Sequence, residues 1–404
     1  MRTSSRQRKT HIARLALYGL MATAAIGDVL IVPLLPTFRA DLGLSPQQLG
    51  LLVGATPFVM IFASIWLGPL SDKWGWKMTA MLGGLLLAVA SLAQMLALTL
   101  AILLLGRLVN GVAYALIGIA VIPGAASTGT TDKERARATA IVPVIVTGAF
   151  VVGPTAVGFL ADHVAMWSPF VAVGSIALVL TVVLWFAPHT PATPHQGSLR
   201  EDIRIIAREP MLRSALVLSA VAGFISGGTI LLAPLLFADS GATSTLIGVA
   251  FSAGAALGIA GGLLVRRHSR IIRPAFAASA VFVLASAFVT PLFLVGWAAG
   301  LLICLIRGAA QPTYSVIAYT QSTLGSYASG AGLGTMTGLG NSIWAATYAL
   351  VPVFMGLVVA GVGLLAACAV FAGCLGVLSI LLLAVDRSLR PARPKQTRMP
   401  AVGS

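Results

Sequence analysis

Three ionisable side chains stand inside long apolar runs: Asp28, Arg107 and Arg307. At the centre of a membrane helix each costs about 2.5–3.5 kcal/mol on insertion scales. Such groups face a cavity or one another, and a functional role is the default reading. Asp28 is the one carboxylate deep in any run. Desolvation and a nearby arginine act on a carboxyl in opposite senses, so it can bind and release a proton as water access changes. The other reading of Asp28 is a structural Asp–Arg pair. Arg107, Asn110, Gly111 and Tyr114 recur at i, i+3, i+4 and i+7, one face of a helix. Arg307, Gln311 and Tyr314 form a similar stripe. Arg307 suits an anionic substrate, or equally a cation solvated in a cavity or bonded to backbone carbonyls.

Helical spacing adds softer cavity candidates. Asn341 shares a face with Thr337 and Tyr348, with Trp344 close by, and Phe58 and Phe62 share another. Helix packing or lipid contact is the competing reading of the aromatic residues. No cluster of catalytic groups is present, and the five His lie in loops or the amino-terminal tail. No Cys/His spacing matches a metal site. Cys304, Cys368 and Cys374 all sit in apolar runs, where a buried thiol behaves as a small hydrophobe. An enzyme and a bound cofactor are not expected.

The elements that carry these residues follow from composition. The 404 residues are 58% hydrophobic and 9% charged, with mean hydropathy +0.97. A soluble domain carries about 25% charged residues. Soluble enzymes, secreted disulfide scaffolds and disordered chains are excluded, and a polytopic helical membrane protein remains. The net charge of +15 does not point to nucleic acid. Lys and Arg retained on the cytoplasmic side of a membrane account for it.

A helix crossing the hydrocarbon core needs about 20 apolar residues. Twelve segments qualify, at 15–36, 48–70, 78–98, 100–124, 138–161, 168–186, 211–237, 244–265, 275–294, 296–320, 332–359 and 362–385. The first has a basic lead but is too long for a signal peptide, contains Asp28 and runs on into further spans, so it is read as uncleaved. With the amino terminus inside, 23 of the 26 basic residues are cytoplasmic and only Arg39 is outside. Both termini are therefore expected in the cytoplasm.

A polar stretch separates spans 6 and 7. It divides the chain into a tail (1–14), a six-helix bundle (15–187), a central loop (188–209) that turns helical from Ser198, a second bundle (210–386) and a basic tail (387–404). The halves echo each other near an offset of two hundred residues. Val32-Pro33-Leu34-Leu35 matches Ala233-Pro234-Leu235-Leu236, Leu49-Gly50 matches Ile247-Gly248, and Arg107 with Tyr114 matches Arg307 with Tyr314. Repeated six-span halves around an axis along the membrane normal are a transporter architecture, with substrate bound between them.

The most specific string lies between spans 2 and 3: Gly68-Pro69-Leu70-Ser71-Asp72-Lys73-Trp74-Gly75-Trp76-Lys77. Gly68 permits close helix approach, Gly75 a tight return, and Lys73 and Lys77 hold the turn at the cytoplasmic surface. The string resembles the signature loop of the major facilitator superfamily, Gly-x-Leu-x-Asp-Arg-x-Gly-Arg-Lys, with Lys73 in place of Arg and Trp76 in place of a basic residue. In the second half only Gly262-Leu263-Leu264-Val265-Arg266-Arg267 is left of it. The resemblance implies an all-α fold of twelve spans in two pseudo-symmetric six-helix bundles. It implies that Asp72 and its neighbours latch the halves and control alternating access.

Arg107-Leu108-Val109-Asn110-Gly111 resembles the family's Arg-x-x-(Gln/Asn)-Gly motif, associated with proton relay. Gly153-Pro154 resembles the start of its antiporter motif, with Val157 where a glycine is usual. Spans 5 and 8, and spans 2 and 11, are expected to meet across the halves. Small-residue faces suit such contacts: Gly148, Gly153-Pro154 and Gly158 in span 5, Gly254, Gly258 and Gly262 in span 8, and Gly330, Gly334 and Gly338 in span 11.

The expectation is a multi-pass protein of the bacterial inner membrane resembling the twelve-span drug:proton antiporters. It would act as a monomer on a small, mostly apolar compound, coupled through Asp28 and Arg107 and driven by the proton gradient alone. Its partners would be cargo, protons and lipid. Uptake by symport and a non-transporting receptor are the alternatives.

Overall fold

A computed structural model describes residues 2–96, 99–127, 131–187, 199–267, 273–294 and 296–388. Side chains at 2–9, 64–66, 68–73, 132, 133, 136, 140, 199, 264–267, 333, 334 and 388 lie outside that description. The described residues form helices and turns, with no strand among them.

Among the described residues, twelve helices are long and apolar enough to cross a membrane: Thr10–Leu42, Pro46–Ala63, Trp74–Met95, Leu100–Ala126, Arg137–His163, Ser168–Trp185, Pro210–Asp239, Ser244–Leu263, Pro274–Leu292, Gly296–Ser329, Thr335–Val362 and Leu364–Arg387. They make two pseudo-symmetric six-helix bundles. Span 1 is broken at Leu30, where one helix ends at Val29 and the next begins at Ile31. Pro33 explains the break, since it has no N–H for the carbonyl of Val29 and its ring presses on it. Span 2 opens on a capping box: Gln48 N–H donates to the Ser45 hydroxyl, the Gln48 side chain accepts from Ser45 N–H, and Pro46 occupies the first turn.

Spans 2 and 3 run as one helical stretch, Pro46–Met95, interrupted at Gly75 with φ 77° and ψ 156°. Residues with a Cβ are all but excluded from that backbone region, so the glycine of the signature string makes the reversal itself. Trp76, next to it, is buried against Gly124 and Leu17. Lys77 donates to the carbonyls of Trp185 (2.8 Å) and Ala187 (2.6 Å), neutralising the end of span 6.

Between the halves a linker helix, Leu199–Arg208, carries Ile206 into a small core with Leu212, Ala215, Ala331 and Met336. Asp202 on this helix accepts from Gly332 N–H (2.8 Å) and the Thr335 hydroxyl (2.6 Å), tying the linker to the start of span 11.

The halves meet at the end of the molecule opposite this linker. There Gly50 packs on the carbonyl of Pro352, Gly248 on that of Pro154, Gly158 on that of Ser244 and Gly356 on that of Pro46. A Cβ on any of these glycines would collide with the backbone it faces. The four contacts form two symmetric pairs. A shift of 198 residues turns Gly50–Pro352 into Gly248–Pro154, and Gly158–Ser244 into Gly356–Pro46.

Polar bonds close the same seam. Asp162 accepts from Thr245 N–H and the Thr245 hydroxyl, both at 2.7 Å, and so caps span 8 from the other half. Thr155 bonds Ser252 at 2.8 Å between hydroxyls, and Arg39 reaches Asp239 at 3.5 Å. Toward the linker end, Gly118, Gly148 and Gly338 have open space beside them. Val144, Leu324 and Tyr327 are exposed there.

The seam thus pairs spans 5 with 8 and 2 with 11; Gly158 of span 5 takes part in it, while the glycine repeat of span 8 does not. Gly254, Gly258 and Gly262 of span 8 face Cys304, Gly308 and Pro312 of span 10 in their own half. A four-residue glycine repeat permits close approach by any neighbour, and here span 10 takes it.

Candidate functional site

The break in span 1 exposes backbone where Asp28 sits, and span 4 answers it. Arg107 donates from Nη1 to the carbonyl of Gly27 (3.1 Å) and from Nη2 to the carbonyl of Asp28 (3.1 Å). The same Nη2 meets the Asp28 carboxylate at 3.4 Å. Asn110 adds a bond from Nδ2 to the Gly27 carbonyl at 3.0 Å. Arg107 is 1% exposed and Asp28 6%. Gly111 lets span 2 lie directly against span 4, and the Thr56 hydroxyl donates to the Arg107 carbonyl (3.1 Å). The guanidinium therefore has two firm backbone acceptors and one looser ion-pair contact.

The second half reaches the same region through span 11. Tyr348 is buried, its ring 4.9 Å from that of Trp344, and it feels the charges of Asp28, Arg107 and Arg307 and the neighbouring Tyr114. Tyr114 in turn lies near Asp28 and Tyr319. Asp28, Arg107, Asn110, Tyr114, Tyr348 and Arg307 are thus brought together where the halves face each other. Asn341 is exposed about two turns from Tyr348 toward the linker end.

The remaining candidates lie elsewhere. Tyr314 is 1% exposed in the core of the second half, close to Arg307, and its hydroxyl has no protein partner. Gln311 stands against Gly258 of span 8. Phe58 and Phe62 are about half exposed, with rings 5.4 Å apart. They line a shallow apolar pocket of about 250 Å³ with Val59, Ala63, Leu67 and Val112. That face also carries exposed Leu51 and lies opposite buried Leu49, Val53 and Thr56, so the structure turns both rings away from the Asp28 cluster. An aromatic stripe reads the same from either side of a helix, which is why spacing did not separate the two.

Of the switch residues, Gly75 and Lys77 act as described above, while Gly68, Asp72 and Lys73 fall outside the described side chains. Gly153 packs on Ile26 of span 1, and the Pro154 carbonyl receives Gly248 at the seam. Among the described residues no group of three His, Cys, Asp or Glu could hold a metal. Tyr319, Asp162 and the Thr155–Ser252 pair were not singled out from the sequence. Tyr319 is off the Arg307 face by helical count, and the other two are polar residues at span ends without unusual spacing.

Residues 17–346 match the model of the Major Facilitator Superfamily. The chain belongs to the major facilitator superfamily. This is a family of transporters rather than enzymes, and its members are multi-pass membrane proteins. Among its members, the quinolone resistance protein NorA of Staphylococcus aureus (strain MRSA252) is 29% identical over 171 residues, 42% of this chain and 44% of NorA. Multidrug resistance protein 2 of Bacillus subtilis (strain 168) is 32% identical over 163 residues, 40% of each chain. The aligned part thus spans less than half the length of these relatives.

Solved superfamily structures match over nearly the whole chain. A bacterial homologue of the human lysosomal transporter Spinster, inward-facing and unoccupied, superposes with a TM-score of 0.75 over 96% of this chain and 99% of that one, at 18% identity. The nucleoside transporter NupG gives 0.71 over 92% and 98%, at 14% identity. At such identities the likeness is one of fold.

Proposed function

We propose that this transporter exports a small, mostly apolar organic compound in exchange for protons. The observation that carries the reading is Asp28, a buried acid at the break in span 1, paired with Arg107 and facing the second half. Uptake of a proton by Asp28 removes its charge, yet the carbonyls of Gly27 and Asp28 keep Arg107 in place. The cluster can therefore change charge without coming apart. Protonated Asp28 favours one state, while cargo and deprotonation favour the other. Each net charge moved inward gains about 2.3 kcal/mol per 100 mV of membrane potential, ample to bias a rocking equilibrium. No cofactor beyond the proton gradient is needed.

The excess of basic residues at the linker end supports cytoplasmic termini in a bacterial inner membrane. In that orientation the glycine seam closes the outer face, and the cavity opens inward, the form that loads cargo from the cytoplasm. Asp72 with Gly68, Lys73, Gly75 and Lys77 would hold the opposite closure, and Gly153-Pro154 would bend span 5 as the seam opens. Similarity to proteins named for quinolone and multidrug resistance supports a foreign organic compound as cargo. The test is transport of a radiolabelled quinolone in everted vesicles with an imposed pH gradient. Accumulation that collapses with the gradient is expected. Accumulation indifferent to the gradient would contradict proton exchange.

A further inference from the structure

Pseudo-symmetry puts Arg307 in span 10 where Arg107 stands in span 4, and the two differ in what they meet. Arg107 has the Asp28 carboxylate. The matching stretch of span 7, Ser226-Gly227-Gly228-Thr229, has no acid, and the one acid of span 7, Asp239, lies at the seam with Arg39. Among the described residues Arg307 forms no ion pair; its side chain is partly exposed, and its Nε, like that of Arg107, is buried without a protein partner. The Tyr314 hydroxyl beside it is likewise buried and unpartnered, although Tyr314 is only 1% exposed. A buried donor left unmade is costly, so the Arg307 Nε–H and the Tyr314 hydroxyl call for an acceptor.

We propose that Arg307 and the Tyr314 hydroxyl form an anion subsite that receives the carboxylate of an organic cargo, in the place that Asp28 fills in the first half. The preferred cargo is then an aromatic or aliphatic monoanion rather than a cation. Arg307 supplies charge-assisted bonds and Tyr314 a neutral donor. The inference rests on the transport reading only for the cavity being where cargo binds.

Equilibrium binding of three matched probes tests it without any gradient: 1-naphthoate, 1-naphthamide and 1-naphthylmethylammonium, on purified full-length protein in phosphatidylcholine nanodiscs. A charge-assisted bond predicts naphthoate binding about tenfold or more tighter than naphthamide. Arg307→Gln should erase that preference while keeping naphthamide binding, which also reports that the variant is folded. Arg307→Lys should keep part of the preference, and Tyr314→Phe should reduce it.

Equal affinity for the three probes, a preference for the ammonium, or no binding of naphthoate would overturn the proposal. So would a naphthoate preference unchanged in Arg307→Gln. Loss of the preference when phosphatidylglycerol is added would assign the cation to a lipid headgroup and overturn it too. Gradient-driven transport is measured separately, so it can fail while the binding preference holds, and the reverse.

Discussion

Asp28 and Arg107 are legible in the sequence because charge is so rare in these spans. Their geometry is not, because it depends on backbone. The main acceptors of the guanidinium are the carbonyls of Gly27 and Asp28, reached because Pro33 breaks span 1 nearby. This makes the two partners unequal. Removing Arg107 strands a carboxylate in a site almost closed to water, whereas neutralising Asp28 leaves Arg107 two of its three contacts. Arg107→Met should destabilise the protein by about 3–5 kcal/mol, the range for breaking a buried pair from one side, and Asp28→Asn by much less. Unfolding of both variants and the double variant in detergent checks this. Equal losses would mean that the ion pair, not the carbonyls, holds span 4 to span 1.

At the scale of elements, apolar length found twelve spans, and the signature string found the reversal between the second and third. Gly75 is the clearest case, since its φ of 77° is what a side chain resists. Gly75→Ala should cost about 1–3 kcal/mol and appear as a lowered Tm, while Gly376→Ala, with open space around it, should not.

Which glycines join the halves is legible only in part: Gly158 is among the small residues that the sequence marks in span 5, whereas the repeat of span 8 serves a contact within its own half. The seam uses Gly50, Gly54, Gly158, Gly248 and Gly356, each set on a carbonyl of the facing half. Gly248→Val should therefore shift the molecule toward states parted at that end. Distances between spin labels at Gln47 and Leu246 should lengthen, and Gly376→Val should leave them unchanged. Asp162→Ala should act in the same direction but less, by about 1 kcal/mol, the worth of a helix cap. An unaltered distance distribution in Gly248→Val would show that these contacts do not hold the closed end.

For the whole molecule, the sequence carries the two-fold repeat but not the state. Both closures of a rocking transporter are written in the same residues, so only the structure tells that the seam end is shut. The symmetry of the seam, with four of its glycine contacts related by 198 residues and Ser252 standing where Gly54 has its counterpart, lets two bundles roll on one another about a shared axis. The linker helix, held to span 11 through Asp202, moves with the second half. Such motion becomes vectorial only if one site senses both the proton and the opposite half, and Asp28 is the acid with that position.

The most direct measurement is therefore quinolone accumulation by wild type and Asp28→Asn, purified and reconstituted in liposomes, with binding measured on the same preparations. Wild type should concentrate the compound when a pH gradient is imposed. Asp28→Asn should bind it and exchange it downhill, yet fail to concentrate it. Accumulation by Asp28→Asn at the wild-type level would contradict the account.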